Sequence, residues 1–336
     1  MMKVISEPGP QSVPHMPVKV AMVGECMIEM RAEAASNFSQ TFGGDTLNTA
    51  VYLARLNPAA RIAVEYVTAI GADSFSDAMR QLWSEEGVGS QHVRVIKDAL
   101  PGLYVIETDA NGERRFVYWR GEAAARRMFD EPEADATLQA LANYDVLYLS
   151  GISLAILTPD GRERLLHAVA QARESGTRIV FDNNFRPHLW PDAQVARKTY
   201  GDFLRFTDLA LITWEDDEAL FGYTDVEALF GTYASFGVGE VVLKRGAQSC
   251  LIDCAGERFE VPAEAVTNIV DTTAAGDSFS AAYLACRLQG GDPDLAAQWG
   301  HRLAAQVVQH RGALIPRTAM PFLKMPSFSF AAEARN

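Results

Sequence analysis

Short apolar runs ending in glycine or a small polar residue recur along the chain, and each is followed by a stretch whose apolar positions fall three and four apart. Residues 18–25, VKVAMVGE, are the first such run. Residues 46–56, TLNTAVYLARL, are the first helical stretch, with Leu47, Ala50, Val51 and Ala54 on one face. The same order returns in RIAVEYVTAIG with SFSDAMRQLWSEEG, in DVLYLSGI with GRERLLHAVAQARESG, and in TRIVFDN with a helix after Pro191. DLALIT, EVVLKRG and two closing helices, from about Gly276 and about Asp294, complete the pattern. Strands alternating with helices predict an α/β fold with a mainly parallel sheet covered on both faces. In such folds ligands gather at the carboxyl ends of the strands.

Two stretches break this rhythm. Residues 103–120, LYVIETDANGERRFVYWR, hold Asn111-Gly112 between two alternating runs, a strong signal for a tight hairpin. Residues 26–42 also alternate without a helical stripe. Together they predict a small sheet projecting from the main domain, with segments at about 26–42 and 93–120. It can serve as a lid over a substrate, as a contact surface that makes a homo-oligomer, or as both. Residues 1–17 carry four prolines and read as a disordered tail, 18–320 as one domain, and 321–336 as a C-terminal tail.

Composition narrows the function classes. With 48% hydrophobic and 22% charged residues among 336, the chain can bury a large core. A net charge of −13 argues against nucleic acid or an anionic membrane as main partner, so an anionic substrate has to be captured by a local cluster of cations. The cysteines, Cys26, Cys250, Cys254 and Cys286, are too few and scattered for a disulfide framework, which fits a reducing cytoplasm. Cys250 and Cys254 lack a further ligand at zinc spacing and read as strand packing. No run of eighteen apolar residues suggests a membrane span. Three familiar sites are missing: there is no Gly-Lys for a P-loop, no G-x-S-x-G, and GVGEVV at 237–242 lacks the third glycine of a dinucleotide loop.

The densest chemistry lies in DTTAAGDSFSAAYLA, residues 271–285. Ala274, Ala275 and Gly276 let successive backbone N–H groups approach an anion at a helix start. Asp277 beside them is either an ordinary cap or a base that takes a proton from an incoming hydroxyl, as phosphoryl transfer requires.

GGDTLNTAVYLARL near the start and DTTAAGDSFSAAYLA near the end resemble the two signature regions of the PfkB, or ribokinase-like, carbohydrate kinases, over about residues 18 to 320. The resemblance implies a ribokinase-like sheet with a β-sheet lid, ATP and Mg2+ as cofactors, Asp277 as general base, and the 274–277 backbone as anion hole. FGGDTLNTAVYLARL, LPGLYVIETDANGERRFVYWRGEAAAR, LYLSGISLAIL and FDNNFRPHLW resemble the branch acting on 2-keto-3-deoxygluconate, a sugar acid phosphorylated at its terminal 6-hydroxyl.

A substrate carboxylate calls for planar, bidentate-capable arginine, and Arg120 and Arg186 are the candidates. Tyr104 and Tyr118 either present hydroxyls or pack the lid. Gly43 and Gly44 permit close approach, Asp45 and Asn48 hold sugar hydroxyls or cap a helix, and Ile152 forms an apolar wall. On the nucleotide side the family's Asn-x-x-Glu appears as Thr213 to Asp216, with Asp216 as candidate metal ligand. Its Lys-x-Gly-x-x-Gly appears as Lys244, Gly246 and Ser249, and its usual anion-hole glycine is Ala274. Asp271 and residues 311–313 match positions near a monovalent-cation (K+) site in relatives. The alternatives are a kinase for another sugar or sugar acid, and a silent sugar-acid-binding regulator; Asp277 with its small neighbours favours an enzyme.

Overall fold

The computed structural model describes residues 16–33, 37–57, 60–108 and 114–323. In chain order the strands are β1 (Val18–Val23), β2 (Met27–Ala32), β3 (Phe38–Gly43), β4 (Ile62–Ile70), β5 (Val88–Gly89), β6 (Val93–Val95), β7 (Gly102–Thr108), β8 (Arg114–Trp119), β9 (Val146–Ser150), β10 (Arg178–Asp182), β11 (Leu209–Thr213), β12 (Glu240–Lys244), β13 (Cys250–Cys254) and β14 (Glu257–Val261). The helices are α1 (Asp45–Arg55), α2 (Ser74–Glu85), α3 (Asp135–Ala140), α4 (Gly151–Ile156), α5 (Pro159–Glu174), α6 (Ala193–Leu204), α7 (Trp214–Phe221), α8 (Val226–Ser235), α9 (Ala275–Leu288) and α10 (Pro293–Val307).

Ten strands form the large sheet, in the order β14-β13-β12-β11-β10-β9-β1-β4-β5, with β6 against β4. From β12 across to β5 and β6 all pairings are parallel, and β13 and β14 close one edge antiparallel. Side-chain alternation splits the interior in two. Val20 and Met22 of β1 point into one cluster with Leu47 and Val51 of α1, Trp83 of α2, and α9 and α10. Ala21 and Val23 point into the other, with Leu165 of α5, Tyr200 of α6 and Phe230 of α8. Residues 20–23 have 0% exposure, as a central parallel strand covered on both faces requires.

The second sheet, β3-β2-β7-β8, holds four strands and is separate from the large one, with Ile28 of β2 and Phe42 of β3 packed into the first core cluster. It matches the expected lid with one correction: Val93–Val95 pairs with β4 of the large sheet, so the second lid segment begins at Gly102. The Asn111-Gly112 turn, residues 1–15 and residues 324–336 lie outside the described residues. The expected start of the C-terminal tail at 321 is also corrected, because Leu323 is buried in the first core cluster.

Candidate active site

A cleft of about 1230 Å³ opens between the lid and the carboxyl ends of β10, β11 and β12, and Asp182, Thr213 and Lys244 at those ends line it. Two helix starts meet there. Gly44 stands before α1, and a Cβ on it would come within 2.1 Å of the Glu25 carbonyl oxygen, so only glycine allows this approach. Ala274 stands before α9 in the left-handed conformation (φ 60°, ψ 15°). Neither position carries a side-chain cap; at α9 the Ala275 N–H donates back to the Thr272 carbonyl at 3.3 Å, which leaves the Gly276 and Asp277 amides for a ligand.

The cap reading of Asp277 therefore fails. Its Oδ2 instead accepts from Asn48 Nδ2 at 2.8 Å, across the cleft floor to α1. Burial first, then the negative charges of Asp45 and Asp182, push its carboxyl up to about 7, against the pull of Asn48 and Lys244. Asp45 is held from distant segments: its Oδ2 accepts from Ser150 Oγ at 2.5 Å and Asn184 Nδ2 at 2.8 Å. The Oδ1 of Asn48 is buried without a hydrogen-bond partner.

Beneath the α9 start, Lys244 Nζ donates to Asp182 Oδ2 at 3.0 Å and to Ser280 Oγ at 3.2 Å. The same Asp182 oxygen accepts from Ser280 Oγ at 2.9 Å and from the Tyr148 hydroxyl at 3.1 Å. A Cβ on Gly276 would lie 3.8 Å from Nζ, so the ammonium sits under the small residues of the α9 start. A tethered cation below the Gly276 and Asp277 amides suits an anionic group.

On the lid side both candidate arginines are already paired. Arg120 donates through Nη2 to Glu25 Oε2, and Arg186 donates from Nη1 to both oxygens of Asp216 at 3.1 Å. The run after β11 is thereby sorted: Asp216 faces the cleft, Asp217 is buried against Asn183 and Tyr233, and Glu215 and Glu218 are exposed. Ile152 and Tyr118 stand in the cleft wall, Tyr118 tilted against His188 with ring centroids 5.9 Å apart.

Three expectations are corrected. The Tyr104 ring lines the cleft, but its hydroxyl is bonded to Glu29 and is not presented to a ligand. Gly43 lies behind that ring, where a Cβ would meet the Tyr104 hydroxyl oxygen at 2.3 Å; it makes room for packing. Ser249 is off the cleft wall and bonded to Glu260 and Arg245, while Gly246 remains in it. Asp271, expected near a monovalent-cation site, has its oxygens accepting from the Thr273 and Gly312 N–H groups, with Arg31 Nη1 3.8 Å away.

Residues that sequence reasoning passed over include Glu25, Asp182 and Asn184, all in the cleft wall. Asp182 and Asn184 sit in the DNN run beside Arg186, and the end of a parallel strand was the signal that could have found them. Among the described residues no group of three or more His, Cys, Asp or Glu is placed to hold a metal ion. Asp182 and Asp216 face the cleft as separate carboxylates. That donor set suits Mg2+ carried in mainly by phosphate and water oxygens.

The backbone at Ala274 generates a test. A non-glycine residue in the left-handed region costs about 1–2 kcal/mol, offset in part by the smaller entropy alanine loses on folding. Ala274→Gly should therefore leave urea-unfolding stability unchanged or raise it by up to about 1 kcal/mol. A clear loss of stability would show that the strain is not there.

The model for the pfkB family of carbohydrate kinases matches residues 18–320. The 2-dehydro-3-deoxygluconokinase of Escherichia coli K12 is 49% identical over 306 residues, covering 90% of this chain and 99% of that protein. The enzyme of the same name from Dickeya dadantii is 49% identical over 305 residues, 90% of this chain and 98% of its own. Among solved structures, a fructokinase from Xylella fastidiosa with bound ATP superposes with a TM-score of 0.76 at 25% identity, covering 91% of this chain and 95% of that one. With the family match spanning the whole α/β body and lid, and both helix starts of the cleft inside it, the chain belongs to the pfkB family of carbohydrate kinases.

Proposed function

We propose that this kinase transfers the γ-phosphoryl group of ATP to the terminal 6-hydroxyl of 2-keto-3-deoxygluconate, with Asp277 as general base. The observation that carries the reading is the Asp277 carboxyl, held by Asn48 through one oxygen and raised toward neutrality beside the uncapped α9 start. The names of the relatives at 49% identity support the sugar acid.

In this mechanism the sugar lies between lid and sheet, its hydroxyls against Asp45, Asn48 and Asn184 and its carboxylate against Arg120 and Arg186. Asn48 keeps Asp277 Oδ2, so Oδ1 takes the proton of the terminal hydroxyl. The sugar's 6-oxygen, freed of its proton, forms the new bond to the γ-phosphorus as the bond to the β-phosphate oxygen breaks, releasing ADP. The amides of Gly276 and Asp277 and the Lys244 ammonium meet the charge on the moving group. Mg2+, brought in on the nucleotide near Asp182 and Asp216, supplies charge neutralisation on the phosphates.

On the lid face alternate to Tyr104 and Tyr118, Leu103 packs against the first core cluster, and Val105, Val117 and Trp119 extend beyond it, the last 59% exposed. This face pairs with a second copy in the proposed assembly. Trp119→Lys should shift sedimentation from dimer or higher to monomer; a wild-type chain that already sediments as monomer would remove the proposal.

A coupled ADP-release assay across sugars and sugar acids tests the substrate. Losing one arginine to carboxylate contact costs about 2 to 5 kcal/mol, so Arg120→Ala and Arg186→Ala should each raise KM for the acid by about 30-fold or more and leave KM for ATP nearly unchanged. Wild type should discriminate against the analogue whose carboxylate is reduced to an alcohol, and the variants much less. Equal use of acid and alcohol by wild type would sink the sugar-acid reading.

The Asp277 carboxyl gives a pH test with two signs. As base it must be ionised, so kcat/KM should fall about tenfold per unit as pH drops below about 7, and level off above. Its folded value lies above the ordinary 3.8, so the fold binds the extra proton and loses stability as pH rises between those values. Asp277→Asn should lower kcat by about 10²-fold or more while melting no lower than wild type at pH 8. Turnover within a few-fold of wild type would take Asp277 out of the role.

A further inference from the structure

Glu25, two residues past β1, is 2% exposed and yet lines the cleft. One oxygen, Oε2, accepts from Arg120 Nη2. The other, Oε1, is buried with no hydrogen-bond partner, and so is Arg120 Nε. Space is kept around the pair by a second glycine besides Gly44: a Cβ on Gly102 would lie 2.6 Å from Oε1 and 3.2 Å from the Arg120 Cβ.

An acceptor and a donor left buried and unmade cost about 1–3 kcal/mol each. An apolar pair of the same shape would avoid both costs. The arrangement becomes favourable when one ligand supplies the missing partners, an acceptor for Nε and a donor for Oε1. An ionised carboxylate beside a hydroxyl does so, and a neutral polyol offers Nε only an uncharged, weaker acceptor. The acid on Glu25 also has a steering effect. An arginine with no fixed partner holds several rotamers, whereas one tied through Nη2 presents a single edge.

We propose that Glu25 is a positioning and specificity residue of the sugar-acid pocket: through Oε2 it fixes the guanidinium of Arg120 for the substrate carboxylate, and through Oε1 it accepts a hydroxyl of the same molecule. This rests on the sugar-acid reading above. It adds a second requirement, that the hydroxyl be present beside the acid, which the arginines alone do not impose.

Steady-state kinetics on the full chain with 2-keto-3-deoxygluconate and its C1-alcohol analogue test it. Glu25→Gln keeps the shape and removes the charge. It should raise KM for the acid by about 10-fold or more, with kcat and KM for ATP within about threefold of wild type. A residue that only supported the fold would move the ATP constant and the melting temperature too. Gly102→Ala, which crowds Oε1 without altering any charge, should give the same signature and serves if the glutamine variant does not fold. In a double-mutant cycle, Glu25→Gln added to Arg120→Ala should cost less in KM than it does in wild type, because the two act on one ligand group. KM for the acid within twofold of wild type in both Glu25→Gln and Gly102→Ala, or fully additive costs in the cycle, would overturn the inference while leaving the sugar-acid reading standing. Failure of wild type to use the acid at all would remove both.

Discussion

The hydrogen bond from Asn48 Nδ2 to Asp277 Oδ2, 2.8 Å long between residues 229 apart in sequence, is the contact on which the site depends. It ties the start of α1 to the start of α9, and Thr49 Oγ1 adds a second tie to the Asp277 carbonyl at 3.3 Å. Two helix N-termini with free amides then face one cleft, and their positive ends draw anionic groups toward the same point. Asn48 consumes one oxygen of the acid and fixes the direction of the other. Had Asp277 capped its own helix, both the amides and the second carboxylate oxygen would be spent.

Around this contact the charges are arranged in local pairs. Lys244 faces Asp182, Arg120 faces Glu25 and Arg186 faces Asp216, so the cations of the cleft enter already compensated. For a chain of net charge −13 this matters, because the overall field repels an anionic ligand. Attraction then comes from donors that the pairs leave over, such as Arg120 Nε and the third N–H of Lys244, and from the helix starts. These act at hydrogen-bond range, which favours geometry over net charge as the basis of selection.

Much of this was legible in the chain before folding. The strand and helix order followed from apolar periodicity, and the lid from two alternating runs where the helical pattern failed. Gly44, Asp45, Asn48 and the 274–277 stretch all converge on the cleft because glycines and small polar residues at strand-to-helix junctions mark where backbone can meet ligand. Partner choice was not legible. That Arg186 takes Asp216, that Tyr104 spends its hydroxyl on Glu29, and that Glu25 meets Arg120 are matters of side chains brought together from distant segments. Spacing along the sequence does not encode those distances. The sorting of Asp216 from Asp217 turned on helical phase at a boundary, where one residue of uncertainty reverses inside and outside.

The left-handed turn at Ala274 and the raised carboxyl of Asp277 stand three residues apart, and each works against the stability of the fold. Both have the same geometric origin. Turning the chain sharply at Ala274 points successive amides into a concave cradle, and it also carries Asp277 into the low-dielectric gap between α1 and α9, next to Asp45. A relaxed backbone there would open the cradle and let water reach the acid, lowering its affinity for a proton. Strain in the turn and desolvation of the carboxyl are thus one arrangement seen from the backbone and from the side chain, held in place by the packing of α9 on α10 and α1 behind it.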